Sequence, residues 1–559
     1  MHVVSKTTHI DYIQNTVFTN LYSYHHGYYD QKEREFRGFG RVEQLDTEDF
    51  NILEASGASN INPDHFQVPI KTISWFHTGA SFKHQKLTEA YQAEYYKNPT
   101  VEQALNGVAL PEGLSDQAYH EAFRACKGLP LRQEVYSLDY GHPQQEHPYS
   151  ASESSYEVQQ VQGHEGQPYA SFITIPVQSM SYGYERNPSD PRISQDLVLE
   201  TDDLGIPIKT ASIIYPRLVT GAVPWMVEVE QAKIHGVYKE INLTNDIANA
   251  DHVYRLRTAY EEKMYELLGL SWTVGLAYYD KDTINNLLQS TISQPNRDLA
   301  YDQDYDTVLS GFQRRLSGHG KAQFLKDDLS GVLPFNTQEA LGIPGKSYQL
   351  AYTPDLLTKL YQTSAGTDLL LSGGLSLPAT SGYVDLDGDG NWWLPSGKTI
   401  YPPGAAANFY LPSGMEDALG NLTKIYFDNY QYLPTSTADA LGNTASTEYD
   451  YRVLSPKLMT DPNGNRSAVA FDTLGIVVKS AVMGKAGSGE GDTLENPTAE
   501  MSYDFFNWMD NKAPNYIHSK VKEEHYSVTN VKNEDENSWQ ESYEYSDGGG
   551  AVILAKVQT

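Results

Sequence analysis

Residues 425–482 read IYFDNYQYLPTSTADALGNTASTEYDYRVLSPKLMTDPNGNRSAVAFDTLGIVVKSAV, and this stretch decides the fold because it repeats itself. An aspartate recurs every 11 residues, at Asp428, Asp439, Asp450, Asp461 and Asp472. Alternate members match more closely, since three pairs of an aromatic residue and aspartate lie 22 residues apart, at Phe427-Asp428, Tyr449-Asp450 and Phe471-Asp472. A period of this kind indicates one small structural unit used several times.

An 11-residue period is compatible with a coiled coil, but the glycines and prolines of this stretch exclude a continuous helix. The pattern instead predicts a strand, a tight turn and a strand. Aspartate at the first turn position accepts bonds from the following backbone, and glycine three residues later adopts a positive φ. Four pairs fit this turn, namely Asp439 with Gly442, Asp461 with Gly464, Asp472 with Gly475 and, upstream, Asp202 with Gly205. The stretch is therefore predicted to be an array of stacked β-hairpins.

The aromatic-Asp pairs followed by glycine turns resemble the YD (RHS) repeat. Further blocks resemble one family in one order, namely Tyr24-His-His-Gly-Tyr-Tyr-Asp30, Arg34 to Gly40, Trp75 to Gly79, Tyr184 to Pro188 with Asp190 to Ser194, Trp392 to Gly397, and Tyr451 to Leu454 with Asp461 to Arg466. That family is the B component (TcB type) of the three-part insecticidal toxin complexes of bacteria. The resemblance runs from about Tyr24 to Gly550 and covers the middle and C-terminal YD-repeat region of that component.

The resemblance implies a fold and a role. In that family the B and C components together wind a long curved β-sheet into a hollow shell, which encloses the toxic C-terminal part of the C component. A β-propeller of the B component docks the A component, and the self-cleaving protease belongs to the C component. The resemblance therefore implies a mostly β fold with a few short helices, a C component as partner, and no catalytic residue in this chain.

The sequence begins just before the Tyr24 block, so the docking propeller expected upstream is absent from it, and docking of an A component is not predicted for these residues. It ends soon after Asp547, short of the family's usual end. Whether it is a fragment or a whole gene product stays open. We expect four segments: a strand and hairpin shell segment at 1–80, a helical insertion at 81–130, an irregular β-rich shell segment at 131–420, and the YD-repeat array at 421–559.

Composition narrows the possible partners. The 559 residues contain 41 Lys and Arg against 72 Asp and Glu, a net charge of −31. Nucleic acids and anionic membranes reward clustered cations, so neither is a predicted partner. No apolar run is long enough to span a membrane. The first residues lack the apolar core of a signal peptide, so we expect release by a non-classical route. The 41 tyrosines suit a thin sheet whose two faces are unequally wet.

Local patterns predict helices in the second segment. Lys83 to Lys97 contains helix-forming residues throughout, and Ser115 to Lys127 has a serine N-cap and a C-terminal glycine. The second of these helices places Cys126 on its apolar face, which predicts a core cysteine and not a nucleophile. Asp251 to Leu268 fits an amphipathic helix locally, whereas the family resemblance implies strands there, and we favour strands.

One motif carries metal-binding chemistry. In Asp385-Leu-Asp387-Gly-Asp389-Gly390, carboxylates at alternate positions precede a glycine turn, as in calcium loops. The position that holds the closing glutamate of an EF-hand is Ser396, so the pattern is incomplete. Two interpretations stay open, a calcium site at Asp385, Asp387 and Asp389, or an unliganded acidic turn. No other cofactor is predicted. His142, His147 and His164 lack the spacing of a zinc motif and are predicted to lie in a polar surface loop.

Three functions are compatible with the sequence. The first is a structural shell component of a toxin complex, which pairs with a C component to encapsulate and help deliver a cytotoxic effector. The second is a YD-repeat surface module that binds carbohydrate or protein, with the strands near Trp392 and Trp393 as the expected site. The third is a hydrolase that uses two carboxylates, but no pair of acids stands out among the 72. The resemblance favours the shell component.

Overall fold

The computed structural model describes residues 2–11, 16–47, 68–81, 84–98, 100–103, 105–139, 141, 143–218, 229–248, 252–301, 303, 311–362, 381–526, 539–547 and 551–558. Within these ranges the chain is mostly β, with a few short helices, and the predicted fold class is confirmed. None of the described helices is long and apolar enough to cross a membrane. The strands form two large antiparallel sheets that do not close.

The first large sheet contains 16 of the described strands between Lys6 and Pro395. The strands in this part of the chain are β1 (Lys6–Asp11), β2 (Thr16–Asp30), β3 (Glu35–Thr47), β4 (Ile70–Phe76), β5 (Val108–Ala109), β6 (Pro130–Ser137), β7 (Ser150–Gln162), β8 (Ser171–Gly183), β9 (Arg192–Thr201), β10 (Pro207–Ile214), β11 (His235–Leu243), β12 (Ile247–Ala248), β13 (Tyr254–Arg255), β14 (Ala259–Leu268), β15 (Asp298–Leu299), β16 (Gln313–Phe324), β17 (Pro344–Tyr352) and β18 (Trp392–Pro395). β12 and β13 pair separately, while β5 and β15 add parallel to β7 and β16. The other strands pair antiparallel with their neighbours along the chain.

The second large sheet has 12 described strands and contains the repeat array. These are β19 (Lys398–Ile400), β20 (Gly414–Glu416), β21 (Leu422–Phe427), β22 (Pro434–Ala438), β23 (Thr444–Asp450), β24 (Ser455–Thr460), β25 (Arg466–Phe471), β26 (Val477–Met483), β27 (Ala499–Asp504), β28 (Asn515–Lys522), β29 (Trp539–Ser546) and β30 (Val552–Val557). Every strand again pairs with its sequence neighbour. The sheet thus begins at Lys398, upstream of the predicted start of the array at 421; the four-segment division itself stays a prediction.

Five described α-helices lie between the strands: α1 (His84–Glu94), α2 (Asp116–Ala125), α3 (Lys281–Ile292), α4 (Pro354–Tyr361) and α5 (Asn507–Asn511). Short 3-10 turns occur at Pro295–Arg297 and Ala405–Asn408. The first two helices confirm the predicted helical stretches, although Lys83 lies outside the described residues. The Ser115 Oγ accepts from the Ala118 N–H at 3.2 Å, so the predicted N-cap is present.

The stretch from Asp251 to Leu268 is extended where it is described, as the family resemblance implied. Tyr265 and Leu267 are buried, whereas Met264 is exposed and Glu266 is only half-buried, which is the two-residue period of a strand. Pairing with β11 on one side and β16 on the other overrides the helical pattern of the local sequence. Asp251 itself lies outside the described residues.

The predicted aspartate turns are confirmed. In each, the glycine N–H donates to the aspartate carbonyl, at 3.0 Å for Gly442 and 2.9 Å for Gly464, and both glycines have a positive φ. The aspartate carboxylate closes the turn: Asp461 Oδ1 accepts from the N–H groups of Asn463 and Asn465. The same arrangement occurs at Asp417, Asp439 and Asp472, and at Asp202 in the first sheet.

A second contact connects successive repeats. The Tyr451 hydroxyl donates to Asp428 Oδ2 at 2.8 Å, and the ring of Tyr451 lies 5.5 Å from that of Tyr430. The aromatic-Asp pairs thus lie in the turns at one end of the strands, whereas the Asp-x-x-Gly turns at Asp439 and Asp461 lie at the other end of the strands. The 22-residue period therefore corresponds to one full hairpin with both of its turns.

Removing the carboxylate of one turn tests this account. Hydrogen bonds to the side chain of Asn465 and to backbone N–H groups hold the pKa of Asp461 below its usual value of 3.8. The contribution of this carboxylate is therefore present above that value and is lost as the pH falls through the lowered pKa. We expect Asp461→Ala to speed amide exchange at Asn463 and Asn465 at neutral pH, with little further effect in strong acid.

Nuclear magnetic resonance or mass spectrometry of amide exchange measures the effect, and Asp461→Asn is the matched control because it keeps an acceptor oxygen. Equal exchange in Asp461→Ala and the wild-type chain at neutral pH would contradict the role of the carboxylate.

Candidate functional site

The two faces of the first sheet differ, and the difference is clearest on β9. Ile193, Gln195, Leu197 and Leu199 are all at most 2% exposed, whereas Asp196 between them is exposed. The same alternation occurs on β10, where Ala211 and Ile213 are buried and Ser212 and Ile214 are exposed. We call the buried side the covered face and the opposite side the bare face.

Helices and loops pack on the covered face. Ile284 and Leu288 of α3 are buried in the same cluster as Leu197 and Ile213, and Ala122 of α2 packs with Val158 of β7. Tyrosines supply much of the remaining surface, and their hydroxyls find partners there. The Tyr215 hydroxyl donates to Gln195 Oε1 at 2.6 Å. Rings packed on strands with their hydroxyls bonded are what the high tyrosine content predicted.

The bare face carries many polar and small residues, with exposed apolar side chains among them at Ile214, Val237, Met264 and Leu394. The strand register places these residues on it: Ser152, Ser154, Ser179, Ser181, Ser194, Asp196, Thr210, Ser212, Lys239, Glu262, Gly318, Gly320, Ser347 and Gln349. They bond to one another across strands, as Ser212 Oγ does to Asp196 Oδ1 at 2.6 Å and Lys239 Nζ to Glu262 Oε2 at 2.8 Å. Polar groups that satisfy each other offer little to an apolar chain, so the scattered apolar side chains of this face are the places where one would bind.

Two glycines form a hollow in the bare face where β14, β16, β17 and β18 lie side by side. Gly318 and Gly320 on β16 form the floor of a hollow of about 560 Å³, between Met264 on one side and Gln349 and Leu394 on the other. Neither glycine has a positive φ, and a Cβ added at Gly318 would come no closer than 3.6 Å to Met264. The backbone therefore does not require glycine here, and its presence keeps the face open.

The second sheet ends in an exposed strand. β30 pairs with β29 on one side, and no strand among the described residues pairs with its other side. All six of its residues are exposed, and four of them have large apolar side chains: Val552, Ile553, Leu554 and Val557. β1 approaches β30 but shares no hydrogen-bonded ladder with it. An exposed, apolar edge strand is a template for pairing with another strand.

The free edge of β30 has a defined pattern of donors. The Gln558 N–H donates to the Glu541 carbonyl at 2.7 Å, so the N–H of Gln558 points towards β29. Lys556 and Leu554 lie two and four residues before it in the same ladder, and their N–H groups therefore also point towards β29. Residues between them then direct their N–H groups away from β29, because donors alternate along an antiparallel ladder. Ala555 lies at the centre of this free edge.

Aromatic side chains line the hairpin ends of the second sheet at which the aromatic-Asp pairs lie. Phe409, Tyr430, Tyr432, Phe506 and Trp508 are each 60% to 70% exposed. The rings of Phe409 and Tyr432 lie 6.2 Å apart. Exposed aromatic residues gathered at one set of hairpin ends are unusual for a free surface and favour contact with further polypeptide. Sequence analysis noted the tyrosines but did not identify this group.

The three aspartates of the acidic motif lie in an exposed turn. Asp385 accepts from the N–H groups of Gly388 and Gly390, Asp389 accepts from Asn391, and Asp387 forms an ion pair with Lys321 Nζ at 2.8 Å. Within the described ranges, no three His, Cys, Asp or Glu side chains gather as a metal site requires. Turn hydrogen bonds do not prevent a carboxylate from also binding a cation, so calcium binding here stays a prediction.

A calcium titration tests the motif directly. If the site is a calcium loop, wild-type chain gives a saturable heat and Asp387→Asn weakens it, because one charged ligand is lost. The lysine contact predicts a further effect: Lys321→Met would tighten binding by removing a competing cation. Isothermal titration calorimetry measures all three proteins. Absence of heat in every variant would support the unliganded turn.

The remaining candidate residues are built into the fold. Cys126 is buried and burial raises the pKa of its thiol to about 12, so the predicted core role is confirmed. His147 bonds to the Tyr96 hydroxyl and His164 pairs with Glu121, while His142 lies outside the described residues. Trp393 is 2% exposed. The tryptophan pair therefore does not form the exposed platform that stacking on a sugar requires.

Two family models match parts of the chain. Residues 1–61 match the middle/N-terminal region of the insecticide toxin TcdB, and residues 121–258 match its middle/C-terminal region. No curated protein sequence matches the chain.

Solved structures extend the likeness to nearly the whole chain. The crystal structure of TcdB2–TccC3 is 22% identical and has a TM-score of 0.64, over 98% of this chain and 27% of that one. The structure of TcdB2–TccC3–Cdc42 is 20% identical with a TM-score of 0.65, over 100% and 29%. The Photorhabdus luminescens Tc holotoxin pore is 20% identical with a TM-score of 0.60, over 97% and 28%.

The chain thus spans less than a third of the length of these structures. Identity at this level establishes the fold, and the two family models add the sequence match. The resemblance to the B component is confirmed: residues 1–61 and 121–258 match the middle region of the insecticide toxin TcdB, and the chain as a whole has the fold of the matching part of the TcdB2–TccC3 structures.

Proposed function

We propose that this chain is a wall segment of a toxin-complex shell, and that it pairs with a C component to enclose and help deliver a cytotoxic effector. The observation that carries the proposal is the unequal pair of faces of the first sheet. One face is covered by helices and loops, and the other is bare, polar and without a covering layer in the described residues. A wall around cargo needs such a pair of faces.

The polar bare face suits a cargo that is not folded. An unfolded chain exposes apolar groups, and these bind tightly to apolar surfaces. The serines, threonines and paired charges of the bare face give them few partners and separate its apolar side chains, and the net charge of −31 keeps the particle soluble. The chain's part is structural in this proposal, with no catalytic residue assigned, and the protein would act outside the producing cell.

The partner contact is proposed at the edge of β30. A first strand of the C component would add there, because backbone donors and acceptors on that side have no partner among the described residues. The similar solved structures combine TcdB2 with TccC3, which supports a C component as the partner. The apolar side chains of β30 would be buried by the same contact, at about 25 cal/mol for each Å² of apolar surface.

Proline substitutions at two adjacent positions separate the contact from the fold. Ala555→Pro removes an N–H that faces the free edge, so we expect co-purification with a co-expressed C component to fall roughly tenfold or more. The folded chain would keep its thermal unfolding midpoint. Lys556→Pro removes an N–H that faces β29 and would instead lower that midpoint. Ala555→Thr keeps the N–H and is the matched control.

Two different failures are distinguishable. If the wild-type chain does not co-purify with the C component, pairing itself is wrong. If the wild-type chain and Ala555→Pro co-purify equally well, pairing stands and the contact lies elsewhere than on the free edge of β30.

A further inference from the structure

A buried cluster of charges lies on the covered face, apart from the bare face and the sheet edges. The guanidinium of Arg132 on β6 contacts three carboxylates, at 3.0 Å to Glu102, 2.6 Å to Glu134 and 3.1 Å to Glu153. The Arg132 side chain is 1% exposed, and none of the three glutamates exceeds 10%. One cation among three anions leaves an excess of negative charge in a dry site.

The cluster holds down one segment of chain. We call the described residues from Tyr95 to Leu105, which follow α1, the strap. The Leu105 N–H donates to Glu153 Oε1 at 3.0 Å, the Tyr96 N–H donates to Glu134 Oε1 at 2.8 Å, and Arg132 Nη2 donates to the Tyr96 carbonyl. Glu102 is the strap's own carboxylate in the cluster.

The strap also ties separate parts of the covered face together. Asn98 Nδ2 donates to the Pro188 carbonyl at 2.7 Å, at the turn between β8 and β9. The Tyr278 hydroxyl donates to the Val101 carbonyl, in the loop that leads to α3. Val101 is 2% exposed in the main core cluster. Loosening the strap would therefore loosen the packing between the sheet and its covering layer.

The kind of donor distinguishes the three carboxylates. Glu134 accepts from Arg132 Nε, the Tyr96 N–H and the Tyr136 hydroxyl. Glu153 accepts on both oxygens from N–H groups, which cannot reverse their direction. Among the described residues, Glu102 accepts from Arg132 and from the Tyr184 hydroxyl. A hydroxyl can reverse and accept a hydrogen bond from a protonated carboxyl. Glu134 and Glu153 each also accept from a backbone N–H, which cannot reverse, so Glu102 is the carboxylate whose surroundings best suit a proton.

Protonation of one carboxyl would reduce the excess of negative charge around Arg132. We propose that Glu102 is the carboxyl that binds this proton, and that ionisation of Glu102 loosens the strap. The covered face is then held most tightly in acid and less tightly as the pH rises. This device is independent of the proposed shell function, because it concerns the coupling of the strap to the sheet within one chain.

Among the ionisable groups around Glu102, the carboxyl groups are the ones expected to change their protonation as the pH rises from acid to neutral. The ionisable groups that face it are Arg132, Glu134 and Tyr136 on β6, Glu153 on β7, Tyr182 and Tyr184 at the end of β8, Tyr96 on the strap, and Tyr278. Burial raises the pKa of Tyr182 and Tyr184, so these tyrosines stay neutral. The three glutamates raise the pKa of Arg132 against its burial, so it stays charged.

The sign of the pH effect follows from burial. Burial raises the pKa of the Glu102 and Glu153 carboxyls above the usual value of 4.5, although Arg132 opposes it. A carboxyl whose pKa is raised in the folded chain stabilises the fold below the unfolded pKa. That stabilisation is lost as the pH rises through the folded pKa. The affected window therefore begins near the usual glutamate value and extends upward.

Glu102→Gln tests the proposal because glutamine resembles the protonated carboxyl and cannot ionise. Its oxygen can face Arg132 and its NH₂ can face the Tyr184 hydroxyl, which then accepts. We expect wild-type amide protection of the strap, corrected for intrinsic exchange, to fall roughly fivefold or more between about pH 5 and about pH 8. In Glu102→Gln the fall would be less than about twofold, and the unfolding midpoint at about pH 8 would exceed that of the wild-type chain.

Two further variants control the experiment. Glu153→Gln places an NH₂ against fixed donors, so it would lower protection at both pH values. Glu112→Gln removes an exposed acid outside the cluster and would leave the wild-type pH response unchanged. An unaltered pH response in Glu102→Gln, or a wild-type strap equally protected at both pH values, would overturn the proposal. A merely structural Glu102 would make Glu102→Gln less stable at about pH 8, not more.

Discussion

The whole architecture depends on the hydrogen-bonded pairing of each main strand with its nearest main-strand neighbour along the chain. Apart from small parallel additions at β5 and β15 and the separate β12–β13 pair, this ladder proceeds strand by strand through both large sheets. From β21 to β26 each hairpin requires only a short loop to close, whereas the first sheet also contains long connections, such as those from β4 to β6 and from β17 to β18. The ladder produces a wide, thin wall and not a compact core. The consequences for burial, edges and function follow from that geometry.

A thin wall needs apolar packing on one face only, and the first sheet provides it with helices, loops and tyrosines. Nearly all of the buried apolar side chains lie in that half of the molecule. In the repeat array Ala468, Ala481 and Trp539 are the buried apolar residues among those described. The array is therefore held together largely by its backbone ladder, its aspartate turns and contacts such as that between Tyr451 and Asp428. Burial in a larger assembly would suit this half well.

The parts of the fold that the sequence predicted correctly are those that depend on interactions between residues close together in the chain. The Asp-x-x-Gly turns, the Ser115 cap and the core position of Cys126 depend on a few adjacent residues, and they were predicted correctly. The strand at Ala259–Leu268 required the family resemblance, because its local pattern also fits a helix and only its pairing with β11 and β16 decides. Trp392 and Trp393 suggested a stacking surface, yet the fold buries Trp393.

The sites that sequence did not reveal depend on register between distant residues. Serines on β7, β8 and β9 form one bare face only once the ladder aligns them. Glu102 meets Arg132 across 30 residues of sequence, and nothing in the local pattern of either indicates a shared proton. The free edge of β30 likewise became visible only when no described strand was found beside it.

Electron microscopy of the chain, purified alone and after co-expression with a C component, tests the central claim most directly. The shell account predicts an open, thin-walled particle alone and a hollow closed particle with the partner, with density for the sheets in its wall. A compact solid particle whose form is the same with and without the C component would contradict it.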